Sequence, residues 1–173
     1  MAVKNSSLGL KLLELADVPA TGLPTTWEVL EDVKIGTANL TEEEDTTEDI
    51  EIEESDDTYR TIKTKKGAIK LTFELYDVSP QNLKKLKGGT VTDATATAGD
   101  IWSPDENSID IYRAARVTTK DGYKLVFANG FVKARITWNL TKSELATVTV
   151  EITANKPIDP TLKIFTVEHP EKA

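Results

Sequence analysis

The chain has 173 residues, 39% of them hydrophobic, with 21 basic and 29 acidic side chains, no cysteine and a single histidine. That length fits one domain with a real core, while the absent cysteine excludes disulfides, thiol catalysis, iron–sulfur clusters and cysteine metal sites, and the single histidine, His169, leaves no multi-histidine metal site and argues against a serine–histidine triad. The formal charge of −8 argues against tight nucleic-acid binding, which needs a basic face, and no stretch approaches the roughly 20 apolar residues that span a bilayer.

Residues 1–18, MAVKNSSLGLKLLELADV, lack a long apolar core because Glu14 and Asp17 interrupt it. No secretory signal is visible, and folding in a cytoplasm is expected. Strand candidates follow at 8–16 and 26–35. In the second, Trp27, Val29 and Val33 fall on one face, which predicts Trp27 in the core.

Residues 36–47 (GTANLTEEEDTT) and 53–66 are polar, with a weak strand candidate at 48–54 between them. The expectation is one long, mobile acidic loop over 36–66. Residues 42–57 hold eleven of the 29 acids and no base, whereas 58–173 hold 18 bases against 13 acids. Such separated charge either solvates the chain or orients it against copies of itself. The residues singled out for inter-subunit contact are Glu42, Glu43, Glu44, Asp45, Glu48 and Asp49. The run lacks the Asp-x-Asp-x-Asp-Gly…Glu spacing of a calcium loop, and Ile50 and Ile52 interrupt it. Lys63, Lys65 and Lys66, just beyond, are expected to pair with acids in the same subunit or in a neighbour.

Alternation is strong in 68–78, where Ile69, Leu71, Phe73 and Leu75 oppose Lys70, Thr72 and Glu74. Side chains two apart share a face, so this is a half-buried strand. A short helix follows at about 79–88. Ser79 caps it, Pro80 suits its first position, Leu83 and Leu86 share a face, and Gly88-Gly89 stops it. Residues 90–107 read as a small-residue loop holding Trp102. More strands are predicted at 108–118, 122–128, 131–140, 145–154 and 161–167. Asp121-Gly122 and Asn129-Gly130 are the hairpin signals between three of them. In 131–140 Trp138 keeps register with Val132, Ala134 and Ile136, which predicts it in the core.

The sum is a mainly-β fold, an antiparallel β-sandwich or half-barrel with one short helix and a long acidic loop. There is no internal repeat and no linker. A single domain over 1–173 is expected, with an N-terminal arm 1–20 and a C-terminal extension 155–173. No carboxylate pair stands out for glycoside chemistry, no glycine-rich loop precedes a helix, and Trp102 is the one tryptophan not placed in a strand. No catalytic, cofactor-binding or metal residue is therefore assigned, and no enzyme activity is expected.

Taken in order, three stretches resemble the major tail tube proteins of long-tailed bacteriophages. The first is WEVLEDVKIGTANLTEEEDTTEDIEIEESDD, a strand, a glycine turn and an acidic loop returning as a strand. The second is GAIKLTFELYDVSPQNLKKLKGG, a strand, a Ser-Pro-led helix and a double glycine. The third is GFVKARITWNLTKSELATVTVEITANKP, a closing antiparallel pair. The resemblance covers roughly residues 20–156. It implies a β-sandwich flanked by a helix, assembled into hexameric rings that stack into a virion tail tube in the host bacterial cytoplasm. It also implies that the 36–66 loop reaches an adjacent subunit or ring. The partners it implies are further copies of the chain and the tape measure, tail tip and terminator proteins. DNA would pass through the lumen without specific binding, and no membrane would be involved. Rival readings are another part with the same fold (a tail terminator or a contractile-type inner tube), a monomeric β-sandwich ligand-binding module, and a carboxylate enzyme.

Overall fold

The computed structural model describes residues 6–107 and 109–170. The first five residues of the predicted arm 1–20, the last three of the extension 155–173, and Ser108 of the strand predicted at 108–118 lie outside the described residues. The protein is mainly β, with 49% strand and 5% helix, and its strands pair antiparallel throughout.

The strands are β1 (Leu10–Ala16), β2 (Glu28–Val29), β3 (Asn39–Glu42), β4 (Thr46–Ile52), β5 (Ser55–Lys65) and β6 (Ile69–Leu75). After helix α1 (Pro80–Lys87) come β7 (Thr90–Thr92), β8 (Ile101–Ser103), β9 (Ile111–Thr119), β10 (Lys124–Thr137), β11 (Thr147–Ala154) and β12 (Phe165–Glu168). The main sheet runs β2-β1-β9-β10-β11-β6-β3, with β12 added to β10. β4–β5 and β7–β8 form separate two-stranded ribbons. Of the predicted arm 1–20, Leu10–Ala16 is therefore built into the body, with Leu13 and Leu15 in the core.

One segment joins two distant strands of this sheet. The Leu30 amide donates to the Leu13 carbonyl on β1 at 2.8 Å. Asp32 then turns the chain in the left-handed region (φ 56°), which short polar side chains tolerate better than most. Beyond it Val33 bridges to Leu75, the Lys34 amide donates to the Glu74 carbonyl at 2.8 Å, and the Tyr76 amide donates to the Asp32 carbonyl at 3.0 Å. Residues 28–34 thus tie β1 to β6 and curl the sheet into a half-barrel. On the remaining side, Leu10 and Leu13 of β1 face Leu40 of β3 and Leu71 of β6 across a cleft of about 380 Å³.

The core follows the alternation. β6 buries Ile69, Leu71, Phe73 and Leu75 and leaves Lys70, Thr72 and Glu74 half-buried. β11 buries Val148, Val150 and Ile152 against it. Removing each such side chain from water contributes about 1.5–3 kcal/mol. α1 covers one end, with Leu83 and Leu86 buried and packed on β10. Its start and stop match the sequence signals: Ser79 Oγ accepts from the Asn82 amide, Pro80 opens the helix, and the Gly88 amide donates to the Lys84 carbonyl.

Three expectations need correction. Asn129-Gly130 is not a hairpin; β10 runs straight through it, and its register against β9 shifts between Phe127 and Gly130, which is a bulge. The Asn129 side-chain amide donates to the Lys156 carbonyl at 2.9 Å, and the Asn129 backbone carbonyl accepts from the Asn155 amide at 2.8 Å. Both groups point into the fold and not into a turn. The bulge lets β10 change neighbour, from β12 at Lys124–Phe127 to β11 at Gly130–Thr137. Trp138 is not core but 60% exposed. β10 has ended at Thr137, so the alternation continues past the point where anything packs on it. Trp27 is only half-buried, lying on the sheet's outer side beneath the Arg116 guanidinium at 4.6 Å, and Val29 of the same predicted face is exposed. Arg116 in turn forks onto Glu14 at 2.6 and 2.8 Å.

The bulge gives a direct test. A Cβ on Gly130 would lie 2.4 Å from Ile152 Cγ2 and 3.0 Å from the Arg113 carbonyl. Gly130→Ala is expected to destabilise by about 1–3 kcal/mol, as overpacking does. The shift in the urea unfolding midpoint measures it; an unchanged midpoint would show that the site has slack.

Candidate assembly arm

The segment 36–66 is not an open loop. After β3 joins β6, residues 46–65 form a hairpin whose strands hydrogen-bond only to each other. Every residue of β4 is exposed, and every residue of β5 except Ile62. At about 3.3 Å per residue, the eleven residues of β5 extend about 35 Å. A two-stranded ribbon without a covering layer is marginal in water, so what fixes its root matters.

The root is fastened by groups from both sides of the arm. Glu43 pairs with Lys70 of β6, and the Glu43 amide donates to the Ala68 carbonyl at 2.9 Å. Asp45 pairs with Lys63 of β5, and it also accepts from the Gly67 amide at 2.8 Å. Gly67 admits no side chain, because a Cβ there would lie 1.7 Å from the Glu43 carbonyl oxygen. Further out, Asp49 accepts from the Thr61 hydroxyl at 2.5 Å across the ribbon. The Lys70 ammonium holds the Glu43 carboxyl below its ordinary range. The Lys63 ammonium does the same for Asp45, helped by the Gly67 amide. Lys65 and Lys66 add weaker attraction to Glu43 and Asp45 respectively.

The six acids singled out from the sequence therefore separate. Glu43 and Asp45 are used inside the chain to hold the root, and Asp49 ties the two strands. Glu42, Glu44 and Glu48 are exposed and form no ion pair among the described residues. The carboxylates are spread along an extended ribbon, and among the described residues they do not converge as a metal site.

The arm also carries apolar side chains with nothing over them. Glu48 stands opposite Ile62, and Ile50 opposite Arg60; cross-strand partners share a face, so Ile50 and Ile62 lie side by side. Ile52 is two residues on. Ile50 is 41% exposed, Ile52 39% and Tyr59 69%. The sequence signal for this stripe was present in Ile50 and Ile52, whose spacing marked 48–54 as a weak strand. Nothing in the sequence marked Gly67.

Trp102, the other residue set apart in the sequence, lies in β8, within the ribbon that replaces the predicted 90–107 loop. Its Nε1–H donates to the Gly88 carbonyl at 2.8 Å, and its ring packs on the core. It staples the end of α1 to the following ribbon.

No protein-family model matches the sequence, and no curated protein matches it.

The root has a defined pH dependence. Glu43 and Asp45 have lowered folded values, so their contribution is complete above the usual carboxylate range, about 4, and is lost as pH falls through those lowered values. Lys63 and Lys70 have raised values, so their half of each pair is lost only as pH rises beyond 10.5. Asp45→Asn is expected to speed amide exchange over 44–66 at neutral pH while β6 and β11 stay protected. The native chain should show the same local loosening only in acid. Equal exchange in the two proteins at pH 7 would show that Asp45 does not hold the arm.

Proposed function

We propose that this chain is a structural subunit that assembles with copies of itself, as the tail tube subunit of a long-tailed bacteriophage. Six copies form a ring, and stacked rings form a tube through which DNA passes. The observation that carries the reading is the arm. A ribbon with two unpaired backbone edges and an uncovered isoleucine stripe is a liability for a protein that works alone and an asset for one completed by neighbours. The half-barrel supplies the rigid body such an arm needs.

The outer side of β10, β11 and β6 supports the passage of DNA. Lys133, Glu151 and Thr72 stand in one cross-strand row, and Arg135, Thr149 and Glu74 in the next. Most cations here are neutralised singly: Lys133 by Glu151, Lys70 by Glu43, Lys34 by Glu74. A wide barrel lined by such a face holds water, and paired cations offer phosphates little to grip. The surplus of carboxylates in a ring of six repels the duplex further.

Concentrated protein examined by negative-stain electron microscopy should show rings of six and tubes with an open lumen. A compact monomer at every concentration, with a small-molecule ligand bound to one face, would overturn the proposal.

A further inference from the structure

The two ends of the half-barrel are not alike. β6 begins beside the arm's root, where Glu42 pairs with Ile69, and finishes at Leu75, opposite Val148 of β11. β11 starts at Thr147, opposite Thr137 of β10, and the turn 138–146 joins the two. The root of the arm and this turn therefore sit at opposite ends of the same strands, about 20 Å apart at six residues of rise.

The turn carries three exposed large apolar side chains. Trp138 is 60% exposed, Leu140 92% and Leu145 65%. The Asn139 side-chain amide donates to the Leu145 carbonyl at 3.0 Å across the turn, which brings the two sides of the turn together. Lys142 lies within the turn, is exposed and forms no ion pair among the described residues. Glu144 is the turn's one carboxylate, and its charge acts on Lys34. The outer part of the arm has the opposite character. Glu51, Glu53, Glu54, Asp56 and Asp57 flank Ile50 and Ile52, and none of the five has an ion-pair partner among the described residues.

From this complementarity we infer that the turn carrying Trp138, Leu140 and Leu145 is the surface that receives the arm of a second copy. The inference rests on the self-assembly reading and adds the receiving site. The isoleucine stripe covers the tryptophan and leucines, while the acidic flanks meet Lys142. Between copies that point the same way the contact is head-to-tail. It leaves a free arm at one end and a free turn at the other, so it continues from copy to copy as a stack or closes as a ring. A large aromatic at the centre of such a contact is the usual anchor of its affinity.

The test uses two variants of the full chain. Ile50→Asp with Ile52→Asp disables the arm; Trp138→Ser with Leu140→Glu disables the turn. All four residues are exposed, and circular dichroism checks the fold. Each variant alone should need at least about tenfold more protein to grow beyond its smallest species, the loss expected when an anchor of this kind is removed. Mixed in equal amounts, the two retain one working arm and one working turn. They should form a species of twice the mass in analytical ultracentrifugation and stop there. A turn variant that assembles like the native chain would overturn the inference and leave self-assembly standing; a native chain that never assembles would remove both. The cysteine-free sequence permits a second measurement that does not depend on those variants. Ile52→Cys and Leu140→Cys chains, mixed in equal amounts and oxidised, should give the heterodimeric disulfide well above the twofold excess over either homodimer that random pairing produces. Yields in the random ratio of one to two to one would overturn the contact.

Discussion

Ile69, Leu71, Phe73 and Leu75 turn into the half-barrel while Lys70, Thr72 and Glu74 turn outward, and both faces of this one strand are committed. The inner face meets Val148, Val150 and Ile152 of β11 across the sheet. The outer face and edge take Glu43, the Asn39 carbonyl, Lys34 and the bridge from Val33. Closure of the sheet through residues 28–34 and suspension of the arm both depend on β6. A shift of one residue in its register would expose four core side chains and bury two charges. The buried alternation fixes that register, and the ion pairs on the wet side then have only one arrangement to adopt.

The arm shows how such a body presents a segment that gains nothing from its own core. Ordering a ribbon of this length costs about 1–2 kcal/mol per residue in backbone entropy, and cross-strand pairs return only fractions of that. The root compensates at its narrowest point. There two carboxylates, two lysines and the Gly67 amide converge within a few residues, and the bare Cα of Gly67 lets the two chains touch. Further out the two strands are held by their own ladder and by the Asp49–Thr61 hydrogen bond, which sits beside Ile50 and Ile62.

Much of this was legible in the amino-acid order. β6, β11 and α1 were readable because each obeys a local rule that burial enforces: alternation in the strands, a Ser-Pro start and a glycine stop in the helix. The arm was readable as an acidic segment but not as a ribbon. Its charges hid the short period of Ile50 and Ile52, and its strands face no core that would have demanded a longer one. Asn129-Gly130 misled because the pair serves a bulge as well as it serves a turn; only the Lys156 and Asn155 partners decide between them. Trp138 misled for a related reason, since alternation says which side a residue faces and not whether anything lies there. At the candidate site, the division between root and outer acids depends on which lysine each carboxylate meets, and that is set by strand register far from the acidic run.

The closing segment at 28–34 has a mechanical consequence. Its hydrogen bonds join β1 to β6, and β6 runs from the arm's root to the opposite end of the body. A pull between those ends acts along the strands and therefore across every ladder bond of β6 at once, in shear. It cannot peel them open one by one, because the hydrogen bonds of an antiparallel ladder lie perpendicular to the load. A body connected this way resists stretching along that axis as a stiff link resists tension, and yields more readily to forces that pry β3 or β12 from its side.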